Sequence, residues 1–291
     1  MNNKYLKGSA LAKIVLQNVN DIPPMPQILL KAREVLGNPD ATFKELAGII
    51  QTDQSIAMML MRLSNSAFYN RGRSVSSLRE AAVILGLKTI GELLLIASAS
   101  RHLNKKLEGY SFTSGSLWRH SLTVACISKI IANKHNPAIA NDAFSAGLIH
   151  DSGKIILDPY VTERKELFDM ALQKGSVRID KAEKQLFGFD HAIIAAKLCQ
   201  KWNFPKHLSK AVQYHHAPSK IKGGVLSLIV HLADEVAIWC DVATNQKADS
   251  FVDEPMGKLG IKNESIERLL YEILDSGLLE EIQQLESMFI N

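Results

Sequence analysis

Nine histidines occur in the chain, and seven lie between positions 120 and 216, among them His120, His150, His191, His215 and His216. Asp151 directly follows His150, and Asp234 lies on a helical stretch beyond the histidine pair. Imidazole nitrogens and carboxylate oxygens are ligands for Zn, Fe, Mn and Ni. Neighbouring residues on a helix point about 100° apart. The His150 imidazole can therefore bind an ion from one side while the Asp151 carboxylate bridges to a second, and His215-His216 at a helix end splay in the same way. Taken singly these residues say less. A histidine such as His120, two residues from both Trp118 and Leu122, is ordinarily a hydrogen-bonded core residue, and His191 and His215 alone carry no more weight. His150-Asp151 is sharper. Leu148-Ile149 before it and Ser152-Gly153-Lys154 after it place two polar side chains where a helix stops and a glycine lets the backbone open. His102, His135, His207 and His231 read as solvated or structural. His231, one helical turn before Asp234, is in reach of a supporting role.

The elements that must position these groups are helical almost throughout. Thr42 and Glu45 have capping-box spacing, and Leu46, Ile49 and Ile50 follow on one face. Asp53 caps the next helix, where Ile56, Met59, Leu60 and Leu63 repeat at helical spacing. Ser77 and Glu80 form a second capping box before Ala81, Ile84 and Leu85. Gly86 stops that helix, and Ile90, Leu93 and Leu94 begin another. Sustained alternation, a hairpin signal, a βαβ unit and an internal repeat are all missing. Proline-dense Asp21-Ile-Pro-Pro-Met-Pro26 and the segment from Lys106 to Ser116 read as joints. Thr244 to Pro255 reads as a loop, and Ile266 to Ile290 as amphipathic helix. These features predict an all-α protein in two lobes: a helical lobe over 1–105, a histidine-bearing lobe over 106–240, and a C-terminal helical extension over 241–291.

Composition narrows the function classes. At about 150 residues per domain, 291 residues suit one large domain or two smaller ones. With 46% hydrophobic and 22% charged residues the chain is of ordinary globular type. Thirty-four Lys and Arg against 30 Asp and Glu give a net charge of +4, too weak a bias for a dedicated nucleic-acid or membrane binder. The three cysteines, Cys126, Cys199 and Cys240, are widely spaced in apolar surroundings and suit buried thiols in a reducing compartment. The longest apolar run, Val225 to Trp239, is short and contains His231, Asp234 and Glu235, so it is no membrane span. With no signal-peptide pattern at the N-terminus, the expected location is the cytoplasm.

The histidines and their flanks carry a resemblance. His120, Gly147-Leu-Ile-His-Asp-Ser-Gly-Lys154 and Asp234 resemble the H…HD…D pattern of the HD superfamily of metal-dependent phosphohydrolases. The chain from about 20 to 240 is more specifically similar to the HDOD family, the HD-related output domains of bacterial signalling. The N-terminal matches are Pro23-Pro-Met-Pro26, Asp53-Gln-Ser-Ile56, Leu63-Ser-Asn-Ser-Ala-Phe-Tyr69 and Ala81 to Gly86. The later ones are Leu117-Trp-Arg-His-Ser121, Phe187-Gly-Phe-Asp-His191, Lys201-Trp-Asn-Phe-Pro205 and Tyr214-His-His-Ala-Pro218. The catalytic relatives, the HD-GYP phosphodiesterases, hydrolyse cyclic di-GMP at a bi- or trinuclear centre. The resemblance implies His120, His150, Asp151 and Asp234 as the first metal set, with Asp151 bridging. It implies His191, His215 and His216 as the second set, and Lys154 beside the substrate phosphate. It departs after His215-His216. Ala-Pro-Ser-Lys-Ile-Lys-Gly-Gly224 follows, without the GYP-bearing segment that shapes the substrate side, which argues against cyclic di-GMP hydrolysis.

Two functions follow from the resemblance. One is a signalling output module with a protein partner and an HD-type site for one or two divalent transition-metal ions (Fe, Mn, Zn or Ni). The other is a metal-dependent phosphohydrolase acting on a nucleotide or cyclic-dinucleotide phosphodiester, with Asp151 and Lys154 as its catalytic groups. Two ions about 3.5–4 Å apart can generate hydroxide and clamp a phosphoryl group. DNA reading fails on chemistry. Ser77 to Ser98 has a helix-glycine-helix outline, but Glu92-Leu-Leu-Leu-Ile-Ala-Ser98 is apolar where a reader helix needs polar side chains. No glycine-rich phosphate loop is present. Asn65-Ser-Ala-Phe-Tyr-Asn-Arg-Gly72 reads as a helix end, or as a partner surface through Tyr69 and Arg71.

Overall fold

In a computed structural model, the residues described are 42–50, 54–65, 74–173, 178–221 and 224–239, with a few isolated positions elsewhere. Asp53, Tyr69, Arg71, Cys240, the prolines at 23–26, the 244–255 stretch and most of 266–290 lie outside them. The described residues are all-α, with no strand among them and one isolated antiparallel bridge, Leu107 to Phe112. No helix among them is long and apolar enough to cross a membrane. The chain divides into two compact units, one holding Met25–His102 and the other Leu103–Leu279.

The first unit contains α1 (Phe43–Ile50), α2 (Gln54–Ser64) and most of α3 (Leu78–Leu103). The Thr42–Glu45 box closes in both directions. Thr42 N–H donates to Glu45 Oε2 at 2.8 Å, and Glu45 N–H reaches Thr42 Oγ1 at 3.4 Å. At α3 the box is split. Ser77 Oγ accepts from Glu80 N–H at 3.1 Å, while the Glu80 carboxylate turns one residue further back to Ser76 N–H. Gly86 sits at φ 74°, ψ 159° and kinks α3 into two segments. Ala81 and Leu85 are buried, but Ile84 is 43% exposed and leaves the face assigned to it. The Asn65 side-chain amide clasps Val75 by both backbone groups, at 2.8 Å each, as a strand neighbour would.

The second unit is a helical bundle: α4 (Ser116–His135), α5 (Ala140–Ile149), α6 (Gly153–Thr162), α7 (Lys165–Gln173), α8 (Ile179–Phe187), α9 (His191–Lys201), α10 (Lys206–Gln213) and α11 (Val225–Trp239). α4 and α5 meet backbone to backbone. A Cβ on Gly147 would lie 2.8 Å from Ala125 Cα, so only glycine permits this approach. α11 packs across both, and α9 packs on α6 and α10. The segment from Lys106 to Ser116 is an ordered clasp rather than a plain joint. Leu107 and Phe112 exchange backbone hydrogen bonds at 3.1 and 3.0 Å, and Gly109 N–H donates to Asp158 Oδ1 on α6 at 2.8 Å. The clasp carries Tyr110 and Phe112 into the core. Cys199 is buried, and burial pushes its thiol up to about 12. Cys126 is half-buried, less enclosed than its apolar neighbours suggested.

Candidate metal centre

His150, Asp151, His191, His215 and His216 come from helix ends, and His120 and Asp234 from buried turns within α4 and α11. α5 stops at Ile149, and the turn that follows is closed by Ser152, whose N–H and Oγ both bond to Ile149 C=O at 3.1 and 2.8 Å. His150 and Asp151 occupy that turn. Gly153 then opens α6, but its backbone is not in the left-handed region. Its role is space: a Cβ there would sit 2.0 Å from the His191 carbonyl oxygen. The first turns of α6 and α9 therefore touch. Phe187-Gly-Phe-Asp-His191 explains itself in the same terms. Gly188 at φ 85° ends α8, and Asp190 caps α9 by accepting from Ile193 N–H at 3.1 Å. His191 is thus the first residue of α9.

The structure brings His120, His150, Asp151, His191, His215, His216 and Asp234 to one place. Ligand atoms of Asp151, His191, His215 and His216 all lie within 4.8 Å of one another. The same holds for His120, His150 and Asp151, and for His150, His215 and Asp234. Asp151 is the hinge of the cluster. Its Oδ2 is 3.5 Å from His120 Nε2 and 3.4 Å from His150 Nε2, while its Oδ1 is 2.9 Å from His191 Nε2. Asp234 Oδ1 lies 3.1 Å from His120 Nε2. Lys154 Nζ donates to Asp151 Oδ2 at 2.6 Å, so the two expected catalytic groups are already in contact.

Three imidazoles have their outer nitrogen fixed. His150 Nδ1 faces Gly147 C=O at 2.7 Å and His215 Nδ1 faces Val212 C=O at 2.6 Å, so each must donate there. His191 Nδ1 lies 2.7 Å from Glu183 Oε2. These contacts turn each Nε2 inward, the arrangement that orients metal-ligating histidines. His150 Nε2, His215 Nε2 and Asp151 Oδ1 are buried and have no aligned hydrogen-bond partner. Burial opposes charge on Asp151, but His150, Lys154 and His191 hold its carboxyl well below the usual range. Burial likewise opposes charge on His191, yet the Glu183 and Asp151 carboxylates outweigh it and raise the imidazole to about 10. For His215, burial and then the His150 and His191 imidazoles push the other way, well below the usual value.

Several contributors escape a reading of spacing. Glu183 is fully buried, and its Oε1 accepts from Tyr110 OH at 2.6 Å. Burial, then the Glu183 charge, raises the Tyr110 phenol well above its usual value, so it stays a donor. Arg178 reaches the cluster beside His216 and Asp234, pairing with Asp180 and Glu235. A signal for Glu183 does exist: Ile179, Ala182 and Leu186 define the buried face of α8, and Glu183 falls among them. An acid on a buried helix face demands a buried partner. His231, read as structural, is buried against the cluster with a hydrogen bond to the His215 backbone. His207 is exposed and pairs with Asp142 at 3.0 Å, and His135 is exposed.

A family model described as the HDOD domain matches residues 22–218. The match includes every cluster residue except Asp234. A crystal structure of an HDOD domain protein of unknown function from Geobacter sulfurreducens is similar with a TM-score of 0.79 and 24% identity, covering 97% of this chain and 98% of that one. That likeness is one of fold. A candidate phosphohydrolase from Shewanella amazonensis SB2B is similar with a TM-score of 0.67 and 25% identity, covering 95% and 96%. An uncharacterized protein of Treponema pallidum (strain Nichols) is 23% identical over 216 residues, which are 73% of this chain but 42% of that protein. The chain thus spans less than half the length of that curated relative. The family match runs over more than half of the chain and takes in its histidine cluster, and the chain belongs to the HDOD family.

Proposed function

We propose that this HDOD protein is a signalling output module that retains an HD-type metal centre, with a protein partner and a nucleotide or phosphate group as its ligand. One observation carries the reading: His150 Nε2 and His215 Nε2 are buried with no aligned hydrogen-bond partner, and both lie within 4.8 Å of each other and of an Asp234 oxygen. A buried polar atom left unsatisfied costs about 1–3 kcal/mol. A cation among these atoms satisfies all of them at once. His120, His150, Asp151 and Asp234 would hold it on one side, with His191 and His215 on the other. When bound, a divalent transition metal supplies Lewis acidity toward a phosphoryl oxygen and acidifies water. Gly147, Val212 and Glu183 hold the imidazoles in register, and Asp151 supplies negative charge. The test is elemental analysis of protein purified without chelator. At least one Fe, Mn, Zn or Ni per chain is expected. A protein that carries none, and takes up none from added manganese, overturns the reading.

A second reading, metal-dependent phosphohydrolase, is favoured by Lys154. A buried ammonium beside Asp151 is an uncommon arrangement, and it can turn from the carboxylate to a phosphate oxygen. The name of the Shewanella amazonensis protein points the same way. Turnover of bis(4-nitrophenyl) phosphate by metal-loaded protein, abolished in Lys154→Met, is the expected result. Metal-loaded protein with no turnover on phosphodiesters leaves the output role alone.

Glu183→Gln tests how the centre is held. The amide keeps the size of the side chain but loses the charge that orients His191. Removing such an outer partner typically lowers metal affinity about 10–100-fold. Competition against a fluorescent chelator reads the change directly, and unchanged affinity would assign Glu183 to folding only.

A further inference from the structure

The clasp that follows α3 reaches the histidine cluster by two separate routes. Tyr110 OH donates to Glu183 Oε1 at 2.6 Å. Glu183 Oε2 accepts the backbone N–H of His191 at 2.8 Å and lies 2.7 Å from its Nδ1. One carboxylate thus ties the clasp to both the main chain and the ring of His191. Two residues along the clasp, the Phe112 ring stands 5.6 Å from Lys154 Nζ, and that ammonium donates to Asp151 Oδ2 at 2.6 Å. Tyr110 and Phe112 therefore lead to His191 and Asp151, whose ligand atoms lie 2.9 Å apart. Tyr110, Phe112, Glu183 and Lys154 are all buried.

The clasp is anchored by a residue outside the cluster. Asp158 on α6 accepts from Gly109 N–H at 2.8 Å and also faces the backbone N–H groups of Glu108 and Tyr110. Gly109 makes the approach possible, since a Cβ there would lie 2.7 Å from Thr162 N and 2.8 Å from Asp158 O. On its other flank Tyr110 meets the Phe168 ring edge to face, with centroids 5.6 Å apart. A tyrosine held by its backbone and by its ring has little freedom, so its hydroxyl fixes where the Glu183 carboxylate stands. Glu183 is a long side chain with several rotatable bonds. Without the hydroxyl, its Oε1 would be a buried acceptor short of a partner, which costs enough to drive the carboxylate elsewhere.

Resting on the reading that the cluster binds metal, we infer that the clasp sets the centre: Tyr110 is a positioning residue that acts on His191 through Glu183, Asp158 anchors it, and a bound ion in turn holds the clasp closed. The last part follows from the first, because coupling between two equilibria is reciprocal. If opening the clasp weakens metal binding by some factor, the metal makes opening rarer by the same factor. The clasp comes directly after α3 in the chain, so metal occupancy is registered where the chain passes from the first unit into the second.

The experiment measures manganese(II) affinity of the full chain by competition against a fluorescent chelator, and amide hydrogen exchange with and without saturating ion. Tyr110→Phe keeps the ring and loses only the hydroxyl. A loss of affinity at the low end of the range for outer partners is expected, about tenfold. In wild type the ion should slow exchange across residues 107–112 by about the same factor, and in Tyr110→Phe this metal-dependent slowing should disappear. A hydroxyl serving stability alone would lower Tm alike with and without the ion and leave both readouts unmoved. Asp158→Ala should also weaken metal binding, although Asp158 is no member of the cluster. Asp158→Asn retains an oxygen for Gly109 N–H and should restore the affinity. Wild-type affinity in folded Tyr110→Phe, or clasp amides indifferent to the ion in wild type, overturns the inference and leaves the metal centre standing. No manganese bound to wild type overturns the metal reading itself. Should Tyr110→Phe fail to fold, as circular dichroism will tell, the Asp158 pair decides, and equal affinity in its alanine and asparagine variants overturns the inference.

Discussion

An Asp151→Ala protein is expected to lose its metal more completely than any single histidine variant. Asp151 turns one carboxylate oxygen toward His120 and His150 and the other toward His191, and it belongs to two of the three ligand groupings of the cluster. It also brings negative charge, which a neutral imidazole cannot. Structural zinc sites gain about 10–16 kcal/mol from their ligands together, so one anionic member of four is worth about 3–4 kcal/mol, on the order of several hundredfold in affinity. The alanine variant has a second consequence. Lys154 is 3% exposed and loses its 2.6 Å partner. Breaking one side of a buried ion pair costs about 3–5 kcal/mol. The clean comparison is therefore Asp151→Asn with Lys154→Met, which removes both charges and leaves no lone ammonium in the core. Metal titration on that pair of changes, beside His120→Ala and His215→Ala, separates coordination from folding. Metal content equal to wild type in folded Asp151→Asn/Lys154→Met would remove Asp151 from the centre.

What could be read from the sequence, and what could not, divides along a physical line. Local signals held up: the Thr42–Glu45 box and the break at Gly86 each depend on a few adjacent residues. The histidines and Asp151 could be picked out because their residue types are unusual in a core, and because their order resembles a family pattern. Glu183, Tyr110 and Arg178 could not. Each is an ordinary residue type whose meaning comes from a partner far along the chain. Tyr110 and Glu183 are 73 positions apart, and Arg178 and Glu235 are 57 apart. Only the packing of α8 against the clasp and α11 makes them a set. Gly153 was misread for a related reason. A glycine in a sequence suggests backbone freedom, whereas here it makes room for a carbonyl 38 residues on. Ile84 shows the reverse error, an apolar residue at helical spacing that stays 43% exposed.

Gly153→Ala is expected to damage both stability and metal binding through one methyl group. Its Cβ would lie 2.0 Å from His191 O and 2.9 Å from Ala195 N, both backbone atoms of α9 that no rotamer change can move. Alanine favours a helix over glycine by about 1 kcal/mol, which works in favour of the variant. Overpacking costs about 1–3 kcal/mol, and more where the obstructing atoms are rigid. The clash wins, and for a unit of this size a net loss of about 2 kcal/mol lowers Tm by about 4–8 °C. The relief available is for α6 and α9 to move apart, and that motion separates Asp151 from His191, now 2.9 Å apart. Metal affinity should therefore fall in a variant that remains folded at room temperature. Gly48→Ala is the matched control: it lies within α1, and nothing stands within 4 Å of its added Cβ. The same substitution there should raise stability by about 0.5–1 kcal/mol and leave metal untouched. Differential scanning calorimetry and chelator competition on the two variants give the answer. A Gly153→Ala protein as stable as Gly48→Ala, with wild-type metal affinity, would mean that the contact between α6 and α9 does not set the spacing of the centre.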